Sequence, residues 1–116
     1  PLIGIGMNKY FKEDHELKLD AGPFIKAIEW AADTTAIIMG KPSGQFFAEV
    51  VASTPFHSNQ CLMVGDDVIA DVQGAIDAGL QACLVRTGKF QAGDEEKVPA
   101  SARVIKSVAE LLGDWL

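Results

Sequence analysis

Residues 61–79 read CLMVGDDVIADVQGAIDAG, and the other segments are best interpreted relative to them. A short apolar run ends at Gly65, and two adjacent carboxylates, Asp66 and Asp67, follow it. Apolar residues then recur at helical spacing as far as Gly79, which predicts a helix that ends there. The segment is therefore predicted to form a strand, a tight turn and a helix, with its acidic residues at the turn.

A third carboxylate, Asp71, lies four residues after Asp67, so the two would share one helix face and repel each other. A hard divalent cation with oxygen ligands would relieve that repulsion. A single Asp at a helix start is usually only a cap, which explains Asp66 or Asp67 taken alone. Three acids after one strand are harder to explain as caps, because ligands bind at the carboxyl ends of strands in open α/β sheets. We therefore predict a metal or phosphate site, with Asp66, Asp67 and Asp71 as candidate metal ligands.

The remaining apolar segments alternate between strand-like and helix-like patterns. Strands are predicted at residues 2–7, 36–39, 81–85 and 103–105, and a hairpin or exposed loop at 9–16. The first predicted helix opens at Gly22-Pro23 and buries Phe24, Ala27, Ile28 and Ala31. The second is capped by Ser43 and carries Phe46, Phe47, Val50 and Val51 on one face. The last has a capping box of Ser107 and Glu110 and packs Val108, Leu111, Leu112 and Trp115 inward.

This alternation favours an α/β fold, a parallel sheet with helices on its faces. At 116 residues the chain is one small domain or a piece of a larger one. It opens inside a strand-like run without an initiator Met, so we expect it to be part of a longer protein. A half-core exposes a sheet edge and apolar faces, so we also predict a homodimer.

The charge and apolar patterns limit the classes of partner. The net charge of −6 argues against nucleic acid or an anionic membrane as the main partner. No apolar run approaches the length of a membrane span, and no signal peptide is recognisable. Cys61 and Cys83 lie in strand-like runs, which indicates buried free thiols in a reducing compartment. We therefore expect a cytoplasmic protein.

Lys41 is the second candidate for chemistry. It follows a predicted strand directly, between Gly40 and Pro42, and in isolation it would be interpreted as a solvated surface residue. Because three carboxylates follow the end of another strand, Lys41 is instead interpreted as a candidate for binding a phosphoryl group. A lysine point charge and a metal held by carboxylates are what a transferring phosphoryl group requires, because catalysis there is largely positioning and charge neutralisation.

Two groups of residues resemble a known family. GKPS at 40–43 and MVGDD at 63–67, followed by Asp71, resemble the third and fourth motifs of the haloacid dehalogenase (HAD) superfamily. LKLDAGP at 17–23 and RTGKF at 86–90 resemble its branch with a large type 2 cap, the NagD-like and 4-nitrophenylphosphatase-like proteins. Within that branch the chain is similar to phospholysine phosphohistidine inorganic pyrophosphate phosphatase-like proteins.

The resemblance implies a Rossmann-like HAD core and a Mg²⁺-dependent phosphohydrolase that acts on a small phosphorylated molecule through an aspartyl-phosphate. By resemblance, Lys41 steadies the nucleophile and the phosphoryl charge, and Asp66 is a ligand to Mg²⁺. Asp71, with Asp67, would act through a metal-bound water or by orienting Lys41. Asn8 would face the substrate.

The resemblance also implies that the chain is catalytically incomplete. The family's nucleophile lies in an Asp-x-Asp motif upstream of the cap, and these 116 residues contain no such motif. Residues 1–39 would be the end of the cap domain and 40–116 the second half of the catalytic core. We expect a phosphatase as the whole protein and no turnover by this chain alone.

Three other interpretations stay open. A phosphorylation-switched receiver domain also uses an acidic cluster and a lysine, but there the acids precede the lysine. A P-type ATPase phosphorylation domain shares Val64-Gly65-Asp66 but continues with a Gly and an Asn-Asp pair that this chain lacks. A catalytically incomplete metal-binding or interaction fragment is the third. Residues 87–89 are interpreted equally well as a substrate contact or a solvated loop, and residues 94–97 as a solvated charge run.

Overall fold

The computed structural model describes residues 1–114, except for the side chains of Leu112 and Asp114. The strands are β1 (Ile3–Gly4), β2 (Tyr10–Glu13), β3 (Glu16–Leu19), β4 (Ile37–Ile38), β5 (Leu62–Gly65), β6 (Gln81–Val85) and β7 (Arg103–Ile105). The α-helices are α1 (Ala21–Ala31), α2 (Gly44–Ala52), α3 (Gly74–Asp77) and α4 (Leu111–Asp114). A π-helix spans Val68–Gln73, and short 3₁₀ helices span Ser58–Gln60, Asp94–Glu96 and Val108–Glu110. None of the helices within residues 1–114 has the length and apolar character needed to cross a bilayer.

The central sheet has three parallel strands in the order β5-β6-β7. Val64 pairs with Cys83, and Leu84 pairs with Val104. β1 and β4 form a separate parallel pair, and β2 and β3 form an antiparallel hairpin. The predicted α/β class with parallel strands is confirmed, as are the strand at residues 81–85, the edge strand at 103–105 and the hairpin.

The core lies between the central sheet, α2 and the helical segment that follows β5. Its buried members are Phe47, Val68, Val72, Ala75, Leu80, Ala82 and Leu84. Of the face predicted for α2, Phe47 is 1% exposed, whereas Val50 is 46% exposed. Ser43 is the N-cap residue of α2 as predicted, although its side chain makes no capping hydrogen bond. Both cysteines are free thiols, and burial raises the pKa of Cys83.

The helix after β5 differs from the prediction in its first six residues, which are π-helical instead of α-helical. The Asp67 carbonyl accepts hydrogen bonds from the N–H groups of both Asp71 and Val72, each at 3.1 Å. A π-turn of this kind widens the helix locally and is frequent at functional sites. The predicted stop is confirmed, because Gly79 has a φ of +84°, a conformation that favours glycine.

The buried face predicted for α1 is wrong. The helix starts at Ala21 because the Asp20 carboxylate accepts the Ala21 N–H at 2.6 Å, so Pro23 is its third residue. Gly22 and Ile25 are its buried residues. The four residues predicted to be inside are exposed: Phe24, Ala27, Ile28 and Ala31. The described strands beside α1 are the two-residue pair β1–β4, which is too narrow to cover a full helix face.

The capping box predicted for the last helix is also absent. Ser107 is the N-cap residue but makes no side-chain capping bond, and the Glu110 carboxylate accepts the Lys106 N–H at 3.0 Å. Val108 is 63% exposed, against the prediction that it packs inward. The predicted contacts of Leu112 and Trp115 lie outside the described residues.

Candidate functional site

Lys41 and Asp71 meet at the carboxyl end of the central sheet. Lys41 lies in the loop after β4, and Asp71 lies in the π-helix after β5. The Lys41 Nζ is 2.5 Å from Oδ1 of Asp71, which is 3% exposed. The other carboxylate oxygen, Oδ2, accepts the Asp67 N–H at 3.1 Å. Both oxygens of the buried Asp71 are therefore paired, and its charge is opposed by Lys41.

Asp67 is held by the protein in a similar way. Its Oδ1 accepts the N–H groups of Ile69 and Ala70, each at 2.8 Å, and its Oδ2 forms an ion pair with Lys89. Burial alone raises the pKa of Asp67, but the hydrogen bonds from Lys89, Ala70 and Ile69 outweigh it, and the pKa lies below its ordinary value. Asp67 is thus a helix cap whose negative charge is opposed by a lysine.

Asp66 differs from its two acidic neighbours. Its Oδ2 accepts the Lys89 backbone N–H at 2.8 Å, and it has no ion pair with a lysine or arginine in the described part of the chain. The carboxylate lies directly over Gly88, where an added Cβ would be 1.9 Å from Oδ2. Asp66 is therefore the carboxylate of the three whose charge stays uncompensated by a basic side chain.

Lys89 is the site residue that the sequence did not identify clearly. It is 9% exposed, and its Nζ donates to the Tyr10 carbonyl at 3.0 Å and lies 5.2 Å from the Tyr10 ring centroid. Of the two interpretations left open for residues 87–89, the solvated loop is wrong for Lys89, because this side chain enters the acidic site. The available signal was the RTGKF segment that carried part of the family resemblance.

The prediction of a solvated charge run at residues 94–97 is wrong for Asp94. This side chain is 5% exposed, and it accepts hydrogen bonds from Lys97 Nζ and the Gln91 N–H, each at 2.8 Å. Burial alone raises the pKa of Asp94, but these bonds outweigh it and leave the pKa below its ordinary value. Asp94 therefore orders the loop after Lys89.

Two adjoining cavities open beside the acidic residues. Both are lined by Asn8, Asp66, Asp67 and Lys89. One, of about 390 Å³, extends towards Met7, Tyr10, Pro42 and Ile69. The other, of about 380 Å³, includes Lys41, Asp71 and Gly88. The structure thus brings together the five residues predicted for the site, Asn8, Lys41, Asp66, Asp67 and Asp71.

Asn8 contributes an unusual group to these cavities. Its Oδ1 is buried and has no hydrogen-bond partner in the described structure. Buried polar atoms are normally paired, because leaving one unpaired costs about 1–3 kcal/mol. Because Asn8 also lines both cavities, its side chain is a candidate for a hydrogen bond with a bound molecule.

The three aspartates are close together but are not arranged as a three-carboxylate metal site. Across residues 1–114, no group of three or more His, Cys, Asp or Glu side chains is placed to hold a metal ion. Asp67 and Asp71 are directed at lysines, so Asp66 is the carboxylate that fits a hard cation with oxygen ligands. The histidines are not among the residues that line the two cavities.

Comparisons with known proteins show which family the chain resembles. The model of a family described as HAD-hydrolase-like matches residues 38–111. The chain is 45% identical over 98 residues to human haloacid dehalogenase-like hydrolase domain-containing protein 2. This alignment covers 84% of the chain and 38% of the relative. It is 43% identical over 101 residues to phospholysine phosphohistidine inorganic pyrophosphate phosphatase of Xenopus laevis. That alignment covers 87% of the chain and 37% of the relative.

Solved structures show the same likeness. The 4-nitrophenylphosphatase of Thermotoga maritima superposes with a TM-score of 0.81 at 26% identity, over 96% of this chain and 43% of that one. The glycerol phosphate phosphatase of Mycobacterium tuberculosis, solved in complex with calcium, superposes with a TM-score of 0.69 at 26% identity, over 88% of this chain and 30% of that one. The chain therefore spans less than half the length of these relatives.

Proposed function

Because the chain belongs to the HAD-hydrolase-like family, we propose that it supplies one part of the active site of a phosphohydrolase that acts on small phosphorylated molecules. The observation that carries this proposal is the Lys41–Asp71 pair beside Asp66 at one end of a parallel sheet. A fixed positive charge and an uncompensated carboxylate are complementary to a phosphoryl group and its cation. The phosphatase names of the relatives support the same reaction class.

Lys41 is proposed to bind and stabilise the transferring phosphoryl group. Its ammonium group is held at 2.5 Å by Asp71, whose buried carboxylate fixes the direction of the lysine side chain. The Lys41 side chain remains 34% exposed, so it is accessible from the cavity. Asp71 is therefore proposed to act by orienting Lys41. Asp67 is proposed to act by capping the helical turn that leads to Asp71.

Asp66 is the proposed ligand for a divalent cation, for which we propose Mg²⁺. The fit is chemical, since Asp66 offers a hard oxygen donor, lines both cavities and is paired with no basic side chain in the described residues. When bound, such a cation neutralises charge on phosphoryl oxygens. The calcium complex of the mycobacterial glycerol phosphate phosphatase supports a divalent cation in this fold.

Asn8 is proposed to contact the substrate. Asn8 lines both cavities together with Asp66 and Lys89, and its Oδ1 is buried and unpaired in the described structure. A hydroxyl or N–H group of the substrate would satisfy this oxygen. Asn8 would then distinguish substrates by the hydrogen-bond donor they carry, because a substrate without one leaves the oxygen unpaired.

The covalent step is proposed to use an aspartate outside these 116 residues. Its carboxylate oxygen forms a bond to phosphorus as the bond to the leaving group breaks, and water then hydrolyses the aspartyl-phosphate to inorganic phosphate. The division into a cap segment at 1–39 and a core half at 40–116 remains a prediction. So do the cytoplasmic location and pairing with a second copy.

The test is turnover of 4-nitrophenyl phosphate by the full-length protein, with and without Mg²⁺. We expect Mg²⁺-dependent release of 4-nitrophenol, and we expect Asp66→Asn to reduce kcat by about 10²–10³-fold, as losing one charge-stabilising group in an active site typically does. Asp77→Asn is the matched control, because Asp77 is exposed and its one side-chain hydrogen bond within the described residues comes from Gln73, at the end of the preceding π-helix. Equal activity of wild type and Asp66→Asn would refute the proposal.

A further inference from the structure

We propose that Lys89 is a positioning residue of this site. It joins the acidic turn, formed by Asp66 and Asp67, to residues 8–10. It also pairs with Asp67, so that Asp66 is the carboxylate left to bind the cation. This inference rests on the proposed function for its catalytic consequence. Its structural part, the connection made by Lys89, stands on the contacts alone.

Lys89 contacts three parts of the site with two different groups. Its backbone N–H donates to Asp66 Oδ2 at 2.8 Å, and its Nζ forms an ion pair with Asp67. The same Nζ donates to the Tyr10 carbonyl at 3.0 Å. One residue after β6 therefore orients two adjacent aspartates after β5 and ties them to the start of the β2–β3 hairpin.

The Tyr10 end of this connection leads to the cavity wall. Asn8 O accepts the Gly22 N–H at 3.0 Å, and Lys9 O accepts the Asp20 N–H at 3.1 Å, so residues 8 and 9 are attached to the start of α1. Lys89 attaches the next residue, Tyr10, to the acidic turn. Asn8 lines both cavities and lies two residues before Tyr10, so we infer that the bond between Lys89 and Tyr10 helps to fix its position.

The pairing also separates the roles of two neighbouring carboxylates. Asp67 uses one oxygen as a helix cap and the other on Lys89, which leaves it poorly placed to bind a cation. Asp66 receives only a backbone N–H from Lys89. The side chain of Lys89 thus neutralises one acid while its backbone orients the other.

A lysine that merely stabilises the fold would behave differently from a positioning residue. Loss of global stability raises hydrogen exchange throughout the sheet, whereas loss of a local connection raises it only at the connected segments. In Lys89→Met, we expect amide exchange of Ile69, Ala70 and Gly22 to accelerate by about tenfold or more, with β6 amides unchanged. Lys18→Met is the matched control, because Lys18 forms an exposed ion pair with Glu13 in the hairpin.

The second readout is kinetic and uses the full-length protein. We expect Lys89→Met to lower kcat by about 10–100-fold, because losing the contacts of Lys89 Nζ with Asp67 and Tyr10 lets the groups that line the site move, and small misplacements of such groups are costly. The Mg²⁺ concentration for half-maximal thermal stabilisation should change less than about threefold, because Asp66 keeps its bond to the backbone of residue 89 and a nearby positive charge is removed. In an Asp67→Asn background, Lys89→Met should have little further effect, since the two residues act as one unit.

The outcomes separate the two proposals. Uniform acceleration of exchange across β5 and β6 in Lys89→Met would overturn the positioning role and leave a purely stabilising one. Additive effects of Lys89→Met and Asp67→Asn would also overturn it. If wild type shows no turnover while the local exchange pattern is as expected, the proposed function fails and the connection made by Lys89 stands.

Discussion

The Lys41 Nζ lies 2.5 Å from the Asp71 Oδ1 across thirty residues of sequence, and the carboxylate is buried. The loop after β4 is thereby fixed to the π-helix after β5, so two strand ends contribute to one site. Removing Lys41 leaves the buried Asp71 carboxylate without its ion-pair partner. Removing Asp71 leaves the Lys41 ammonium group, whose side chain is 34% exposed and can reach solvent.

Lys41→Met should destabilise the chain by about 3 kcal/mol, because it leaves Asp71 buried with an uncompensated charge. Asp71→Asn should cost less, since an amide keeps the acceptor for the Asp67 N–H and Lys41 can turn to solvent. Urea denaturation measures both variants. Lys18→Met, in an exposed pair, should change the unfolding free energy by less than about 1 kcal/mol. Equal costs at Lys41 and Lys18 would contradict the assigned burial.

Gly88→Ala should impair the site more than the fold. Gly88 has a φ of +63°, and a Cβ there would be 1.9 Å from the Asp66 Oδ2. Gly93→Ala is the matched control, because Gly93 has a φ of +93° and open space around its Cβ position. Both variants carry the strain of a left-handed residue, about 1–2 kcal/mol. Only Gly88→Ala should displace Asp66 and weaken cation binding, which calorimetric titration with Mg²⁺ would measure.

Asp94→Asn should alter how stability depends on pH. The folded pKa of Asp94 lies below its ordinary value of 3.8, so its stabilising contribution is fully present above that pH and is lost as the pH falls through the folded value. The difference in unfolding free energy between wild type and Asp94→Asn should therefore be largest above about pH 5 and shrink towards pH 2. Urea titrations across this range measure it. A difference that grows with acidity would contradict the sign of the shift.

Phe47→Ala should cost about 3–5 kcal/mol, the usual range when a fully buried aromatic side chain is removed. Phe47 is 1% exposed and belongs to the core under the central sheet. Phe24→Ala offers a matched helical control, because Phe24 is 59% exposed on α1. It should change the unfolding free energy by less than about 1 kcal/mol. A large loss at Phe24 would show that this face of α1 is covered in solution.

Features governed by local chemistry could be predicted from the sequence. Gly79 terminates its helix at a positive φ, Ser43 precedes α2, and the strand at residues 81–85 has the predicted bounds. Each depends on glycine geometry, a capping preference or a short apolar run. The association of Lys41 with Asp66 and Asp71 was also predicted, although β4 and β5, the strands that precede these residues, belong to separate sheets in the described structure and not to one.

Features that depend on distant partners could not be predicted in this way. The apolar residues on α1 satisfy a helical period, but their burial depends on what the helix meets. Ile25 packs against Gly4 of β1, and Gly22 packs against the backbone of Met7 and Asn8. The π-turn requires the Asp67 carbonyl to accept two N–H groups, which no residue pattern specifies. For Lys89, the sequence left a substrate contact and a solvated loop equally open, because one of its partners, Tyr10, is seventy-nine positions away.

The position of Lys89 after the acidic turn has a consequence during synthesis of the protein. Asp66 precedes Lys89 by twenty-three residues, so a ribosome adding about 5–20 residues per second makes the lysine roughly 1–5 s later. During that interval the nascent chain carries Asp66, Asp67 and Asp71 with β5 still lacking β6 as its neighbour. Until β6 and Lys89 are also made, Asp67 lacks its lysine partner and Asp66 lacks the backbone N–H that orients it.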